Sequence, residues 1–298
     1  MVILQLFNAI VELYRKAATE LPEDVVKAIQ RARRKEKKGS IAYKAFNDII
    51  ETIKIAKDNK LPICQDTGMP IFYVKVPVGT ATHKISQEII NATRLATKKV
   101  PLRSNSVNIL NDKNSKDGVG LSDDKTEINL PVIYFEEHSK KEIVIDLMLK
   151  GGGSENVSKQ YSLPDKQLKA SRDLDGVKKC VVDCVKKAKG FGCPPGIIGI
   201  AIGSPKDKVA IESKKQLLRK LNDKNKNTKL RKFENDLLKE LNKLNIGVMG
   251  LGGKTTVLGV KVKALHRHPA CYFVDISYGC WALRRKRLIY EKGKVLIE

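Results

Sequence analysis

Apolar positions recur at helical spacing through the first 60 residues. Leu6, Ile10, Leu13 and Ala17 form one stripe, and Val25, Ala28, Ile29 and Ala32 a second. Phe46, Ile49, Ile50 and Ile53 form a third within residues 41–56. Steps of three and four are the period of one buried helix face. Pro22, just ahead of Glu23 and Asp24, marks the start of the second helix. A loop over residues 60–70 leads to a strand at 71–76 and a helix at about 84–99. Strands are predicted at 127–135 and 142–149, joined by a polar turn at 136–141. A helix over about 165–189 precedes a short apolar strand at 197–202. The next helix has Ser204 as its N-cap and Pro205 at its first position. A solvated linker at 222–228 leads to a helix at 233–244. Strands at 257–265, 271–277 and 288–297 alternate with glycine-rich turns. The pattern predicts an α/β class with mixed α+β layers: a helical region over 1–60, then alternating helices and a mixed β-sheet over 61–298. The whole chain, 1–298, is expected to form a single domain.

Residues 104–124 are polar and rich in Asn, Ser, Asp and Gly, which predicts a long loop of the functional or mobile kind. No internal repeat is present. The longest mainly apolar stretches, such as 143–149 with Asp146 inside it, fall far short of the roughly 18 residues that cross a bilayer. The apolar N-terminus is read as an amphipathic helix rather than a secretory signal. No basic segment precedes it, and Asn8 and Glu12 interrupt it. A cytoplasmic protein with reduced thiols is the expectation.

Charge widens the choice before narrowing it. The chain has 57 Lys and Arg against 33 Asp and Glu, a net +24. Such a balance suits nucleic acid, an acidic partner protein or an anionic substrate. The basic residues are interleaved with acidic ones, and aromatics make up only 5%, so base-stacking platforms are scarce. The densest run, RARRKEKK at 31–38, reads as the solvated end of a helix. No nucleic-acid-reading motif accompanies the charge.

Six cysteines are present, with no C-x-x-C pair, so neither a zinc ribbon nor a thioredoxin motif is supported. Cys180 and Cys184 lie four apart beside Val177 and Val181, as core thiols would. Cys64, Cys193 and Cys280 differ. Cys64 precedes Gln65-Asp66-Thr67-Gly68, Cys193 is held in Gly192-Cys193-Pro194-Pro195-Gly196, and Cys280 lies in Tyr278-Gly279-Cys280-Trp281. Glycine permits close backbone approach and proline fixes it, which suits a rigid metal ligand. By spacing alone, three unconnected loop cysteines are an equal reading.

Five ordered motifs add to this. They are PICQDTG (62–68), KGGGSEN (150–156), GCPPGIIGIAIG (192–203), MGLGGKTTVLGV (249–260) and HRHPACYFVDISYGCWALRR (266–285). Together they resemble the class I, iron–sulfur fumarate hydratases, a family that includes the L-tartrate dehydratases. The resemblance implies a 4Fe–4S cluster held by Cys64, Cys193 and Cys280, with one iron left without a protein ligand as a Lewis acid. It implies Asp66 and His268 as catalytic residues. It also implies substrate binding by Gln65, Arg103, Gly152 and Lys254. An arginine suits a carboxylate because its fork binds both oxygens. The backbone amides of the Gly151–Gly153 run suit an anion. Lys254 sits in GGKTT, but Val248 stands where a phosphate-binding loop would need its first glycine, so nucleotide binding is rejected.

Single-chain members of that family carry a further C-terminal domain, so this chain resembles the α subunit of the two-subunit type. The resemblance implies a β subunit that completes the site, and a heterotetramer of two α and two β chains. It implies hydration of a small dicarboxylate, fumarate to L-malate, with no membrane and no nucleic acid among the partners. L-tartrate dehydratase is the nearest alternative. A basic nucleic-acid-binding or regulatory iron–sulfur protein is the alternative from another class.

Overall fold

The three apolar stripes become α1 (Val2–Thr19), α2 (Glu23–Lys35) and α3 (Ile41–Asn59) in a computed structural model that describes residues 2–122 and 127–298. Helix α2 shows why. Val25, Ala28, Ile29 and Ala32 are buried, Glu23 and Asp24 stand in its first turn, and Arg33, Arg34 and Lys35 in its last. Both charge sets oppose the helix dipole. The chain continues through β1 (Met69–Pro77), α4 (Thr82–Lys99), a small hairpin of β2 (Gly120–Leu121) and β3 (Ile128–Leu130), β4 (Val132–His138) and β5 (Ile143–Lys150). Then come α5 (Gly152–Asn156), β6 (Lys159–Ser162), α6 (Leu174–Ala188), β7 (Gly196–Gly203), α7 (Lys206–Gln216) and α8 (Thr228–Asn242). The last strands are β8 (Val257–Ala264), β9 (Phe273–Gly279), β10 (Arg284–Glu291) and β11 (Lys294–Ile297). The class is mixed α/β.

The chain divides into two compact units, each assembled from separated segments. The first comprises Met1–Pro22, Thr52–Gly151 and Arg284–Glu298; the second comprises Glu23–Glu51 and Gly152–Leu283. In the first unit a five-stranded sheet has the order β11-β10-β5-β1-β4. Only β1 and β4 run parallel; the other pairs are antiparallel. Helices α1 and α4 supply its core, with Ile10, Leu13, Ile89 and Ala92 against Phe72, Ile145, Leu147 and Leu288. Tyr14 joins the two helices: its hydroxyl meets Thr93 Oγ1 at 2.7 Å and its ring meets Phe72 edge-on.

In the second unit the order is β6-β9-β7-β8, with β7 and β8 parallel and β9 antiparallel to its neighbours. Every residue of β7, GIIGIAIG, is buried, as expected of a strand covered on both faces. Gly199 has α7 directly over it: a Cβ there would lie 2.3 Å from the Ser213 carbonyl oxygen. A partly buried ionic network closes the turn after α7. Arg219 grips Asp223 with two bonds of 2.9 Å and Glu234 with a third, and Glu234 also accepts from the Val262 amide.

Local chemistry moved several boundaries. The helix expected from 165 begins at Leu174, because Asp173 takes the N-cap and accepts from Gly176 N. Ser204 does not cap α7. Pro205 holds the cap position, and the Ser204 hydroxyl oxygen accepts from the His268 amide instead. The strand expected at 288–297 is a hairpin: β10 starts at Arg284, and Lys292 and Gly293, both at positive φ, turn the chain into β11. Residues 104–122 are ordered by successive turns in which Asn108, Asn111, Asn114 and Asp117 accept from amides two residues ahead. Asp123 and Asp124, the end of that expected loop, lie outside the described residues. Among the described residues, no helix is long and apolar enough to cross a membrane.

Candidate active site

Four candidate residues gather in the first unit around the turn that follows α3. The turn is anchored at one end by Ile63, which is buried and whose amide donates to Ala18 O at 3.1 Å. At the other end Gly68, at φ +85, lies on the backbone of β5. A Cβ at Gly68 would be 2.7 Å from the Leu149 carbonyl carbon, so only glycine fits. Between these anchors are Cys64, Gln65 and Asp66. Asp66 Oδ1 accepts from Gly68 N at 2.9 Å, closing an Asx turn. Buried Thr67 links in the arginine: the Arg103 amide donates to Thr67 Oγ1 at 3.0 Å, and Asn105 Nδ2 donates to the same oxygen and to Gly68 O. Arg103 thus stands beside the turn with its side chain exposed. Neither Thr67 nor Asn105 was singled out from sequence. The T of the motif was the available signal.

The second unit gathers another group at one end of its sheet. Ile197 of β7 pairs with Gly279 of β9, so the segments flanking Cys193 and Cys280 leave adjacent strands together. The Trp281 amide donates to Cys193 O at 3.2 Å and fastens one segment to the other. Tyr278 fills the space beneath. A Cβ at Gly192 or Gly196 would come within 2.6 or 2.5 Å of its ring. These glycines flank Cys193 because nothing larger fits over the tyrosine. Cys193 has φ +50 and Met249 φ +53, both left-handed, and the Met249 amide donates to Pro194 O at 2.7 Å. Backbone held in that region by non-glycine residues costs on the order of 1–3 kcal/mol, and such strain concentrates at functional sites.

Lys254 and Gly152 lie at the same end. The Lys254 amide donates to buried Glu36, its side chain is exposed, and two residues later Thr256 O accepts from Gly196 N. Gly153, next to Gly152 in the first turn of α5, approaches Phe191 O. His268 does not lie there. Its amide is bonded to Ser204, just past the opposite end of β7. The six-residue register from Ile197–Gly279 to Gly203–Phe273 places it roughly 20 Å along the strands from the cysteine pair, at about 3.3 Å per residue. The ring is exposed, and Nδ1 accepts from Ala270 N at 3.2 Å, which puts the proton of the neutral ring on Nε2.

The remaining cysteines separate by environment. Cys180 and Cys184 are fully buried in α6, where burial pushes both thiols up to about 12. They are core thiols. Cys64, Cys193 and Cys280 are half-buried, as a ligand open to a bound group must be; Cys271 is half-buried as well, so burial sets apart only the α6 pair, and no disulfide occurs among the described residues. No three His, Cys, Asp or Glu side chains come together as a ready-made metal site among the described residues.

Comparison with known proteins follows the same lines. A family model described as fumarate hydratase (fumerase) matches residues 7–289. A Geobacillus stearothermophilus protein named "Putative fumarate hydratase class I" is 44% identical over 284 residues, which is 94% of this chain and 54% of that one. The chain thus spans about half the length of that relative. A Methanocaldococcus jannaschii protein named "Putative L(+)-tartrate dehydratase subunit alpha" is 39% identical, over 95% of this chain and 96% of its own. The "L(+)-tartrate dehydratase subunit alpha" of Escherichia coli K12 is 30% identical, over 91% and 86% respectively.

Proposed function

The chain belongs to the fumarate hydratase (fumerase) family, and from that premise we propose that it is the α subunit of an iron–sulfur hydro-lyase that hydrates fumarate to L-malate. The observation that carries the reading is the Trp281–Cys193 hydrogen bond, which fixes two half-buried cysteines at one end of a sheet. Their donor chemistry fits a thiolate-bound cluster. Both lie in strained or glycine-hemmed backbone, and the two cysteines that cannot ionise cheaply are sequestered in α6. Cys64, Cys193 and Cys280 would hold a 4Fe–4S cluster, whose iron without a protein ligand would supply Lewis acidity toward a carboxylate and a hydroxyl.

The chain's own side chains do the rest in this reading. Arg103 takes a substrate carboxylate through its planar fork, in a position set by Thr67. Gln65 and Lys254, both exposed, and the Gly152 amide contribute further polar contacts. Asp66, oriented by its Asx turn, manages the proton of the base that a β subunit supplies. Two relatives carry "subunit alpha" in their names, which supports a β partner; an α2β2 assembly is part of the same proposal. His268 stands roughly 20 Å from the cysteine pair of its own sheet. Its proposed acid–base role therefore places it in the site of a second copy of the chain.

A second reading has its own support. The end-to-end match to the Methanocaldococcus jannaschii protein favours L(+)-tartrate dehydration, which asks the same groups to accommodate one more hydroxyl. The purified, anaerobically reconstituted αβ complex, assayed on fumarate and on L-tartrate, decides between them. Preference for fumarate by kcat/KM is expected. Preference for tartrate moves the chain to the second reading, and activity on neither removes both.

A further inference from the structure

Arg284 heads the largest fully buried side chains, at 1% exposed. It begins β10, where it pairs with Leu149 of β5, the residue on which Gly68 rests. Its Nη1 donates to the carbonyl oxygen of Asp66. Its Nε is buried with no hydrogen-bond partner, and no carboxylate among the described residues pairs with it. Lys150, the next residue of β5, is buried as well. A guanidinium removed from water with its Nε unmet and no counter-ion is strongly disfavoured unless something meets its charge. Nor is it needed to fill space, since a straight apolar side chain such as methionine does that. What the guanidinium alone provides is a donor to Asp66 and a fixed positive charge beneath the turn that carries Cys64.

We propose that Arg284 is a positioning residue with two tasks: it clamps the Cys64–Gly68 turn through the Asp66 carbonyl, and its buried charge offsets the negative charge that the turn acquires when Cys64 binds a metal group as thiolate. The clamp stands on the hydrogen bond alone. The counter-charge rests on the cluster reading given above, because the thiolate, not the thiol, is the metal ligand.

The test uses the full chain with Arg284→Met, which keeps bulk, and Arg284→Lys, which keeps charge. Hydrogen exchange in the cluster-free protein reads the clamp. Arg284→Met should speed exchange of the 63–68 amides by about 10- to 100-fold, the usual worth of a hydrogen bond to a charged group, and leave β1 and β5 protected. Iron loss to a chelator after anaerobic reconstitution reads the counter-charge. It should be about tenfold faster in Arg284→Met and within about threefold of wild type in Arg284→Lys. Wild-type exchange in Arg284→Met overturns the clamp. Equal iron loss from the Met and Lys variants overturns the counter-charge. If Arg284→Met does not fold, Arg284→Gln, which is uncharged and whose amide nitrogen stands two bonds short of the arginine Nη1, is read by the same two measurements: iron loss at the wild-type rate overturns the counter-charge, and wild-type exchange of 63–68 overturns the clamp. A wild-type chain that takes up no iron refutes the cluster reading and the counter-charge with it, while exchange still decides the clamp.

Discussion

The amide of His268 donates to Ser204 Oγ at 3.0 Å, which pins the histidine to the end of β7 opposite Cys193. If His268 serves a second copy, two inactive variants should complement one another. Mixed complexes of Cys193→Ser and His268→Asn chains, each with wild-type β subunit, should regain one intact site per heterodimer, about a quarter of wild-type activity over a random mixture in which half of the pairs are heterodimers. Homogeneous complexes of either variant should stay at least about 100-fold down. No regain on mixing would show that His268 acts within its own chain or takes no part in catalysis.

The cysteines should divide three and three. Serine at Cys64, Cys193 or Cys280 should abolish iron and sulfide uptake on anaerobic reconstitution. Serine at Cys180, Cys184 or Cys271 should leave uptake intact. At the first two of those, stability should fall by about 1–3 kcal/mol, because a hydroxyl replaces a buried apolar sulfur. Normal cluster content in Cys193→Ser would reject the ligand assignment.

Asp66 and Arg103, joined through Thr67, should differ in kinetics. Asp66→Asn keeps size and the Asx geometry, so kcat should fall by at least about 100-fold with cluster and partner retained. Arg103→Lys loses the fork and keeps the charge, so KM should rise about tenfold or more with a smaller change in kcat. The same KM in Arg103→Lys as in wild type would remove Arg103 from the binding site.

Asp275 provides a pH test that is independent of catalysis. Burial pushes its carboxyl above the usual range, although Ser213 and Gln160 both donate to it. A raised folded-state value means that the folded protein holds the proton more tightly than the unfolded chain. Its stabilising effect is lost as pH rises from the ordinary carboxyl range through the raised value. Asp275→Asn removes that titration. Relative to wild type, the variant should be more favourable near pH 7 than near pH 4 in thermal melts. A difference in melting temperature that is flat with pH would show the carboxyl is not shifted.

The legible parts of the fold were those written in local period or in unbroken motifs. The stripes of α1, α2 and α3 and the all-apolar β7 follow from composition at fixed spacing. What was not legible depends on partners distant in sequence. Ser204 reads as a helix cap, yet its hydroxyl is taken by His268, 64 residues on. Arg284 and Arg285 end the last motif as two adjacent charges, which composition alone would put at the surface, yet both are buried in β10. At the site, the three motif cysteines stood out from their loop glycines and prolines. The placement of His268 at the end of its sheet away from Cys193 did not, because strand pairing rather than sequence distance sets where a residue twelve positions before Cys280 falls.

The segmented make-up of the first unit bears on how the chain is made. Its β10 lies between β5 and β11, yet it belongs to the last segment, Arg284–Glu298. During synthesis every residue of the second unit emerges before that strand does, so the cysteine pair flanking β7 and β9 can be built while β5 still lacks its neighbour. Until β10 arrives, the turn bearing Cys64 has no arginine behind it, and β5 presents an open edge of the kind that pairs with other chains. A chain cut after Leu283 would keep all the cysteines and still leave that edge bare. Such a fragment is expected to aggregate through the first unit rather than through the second.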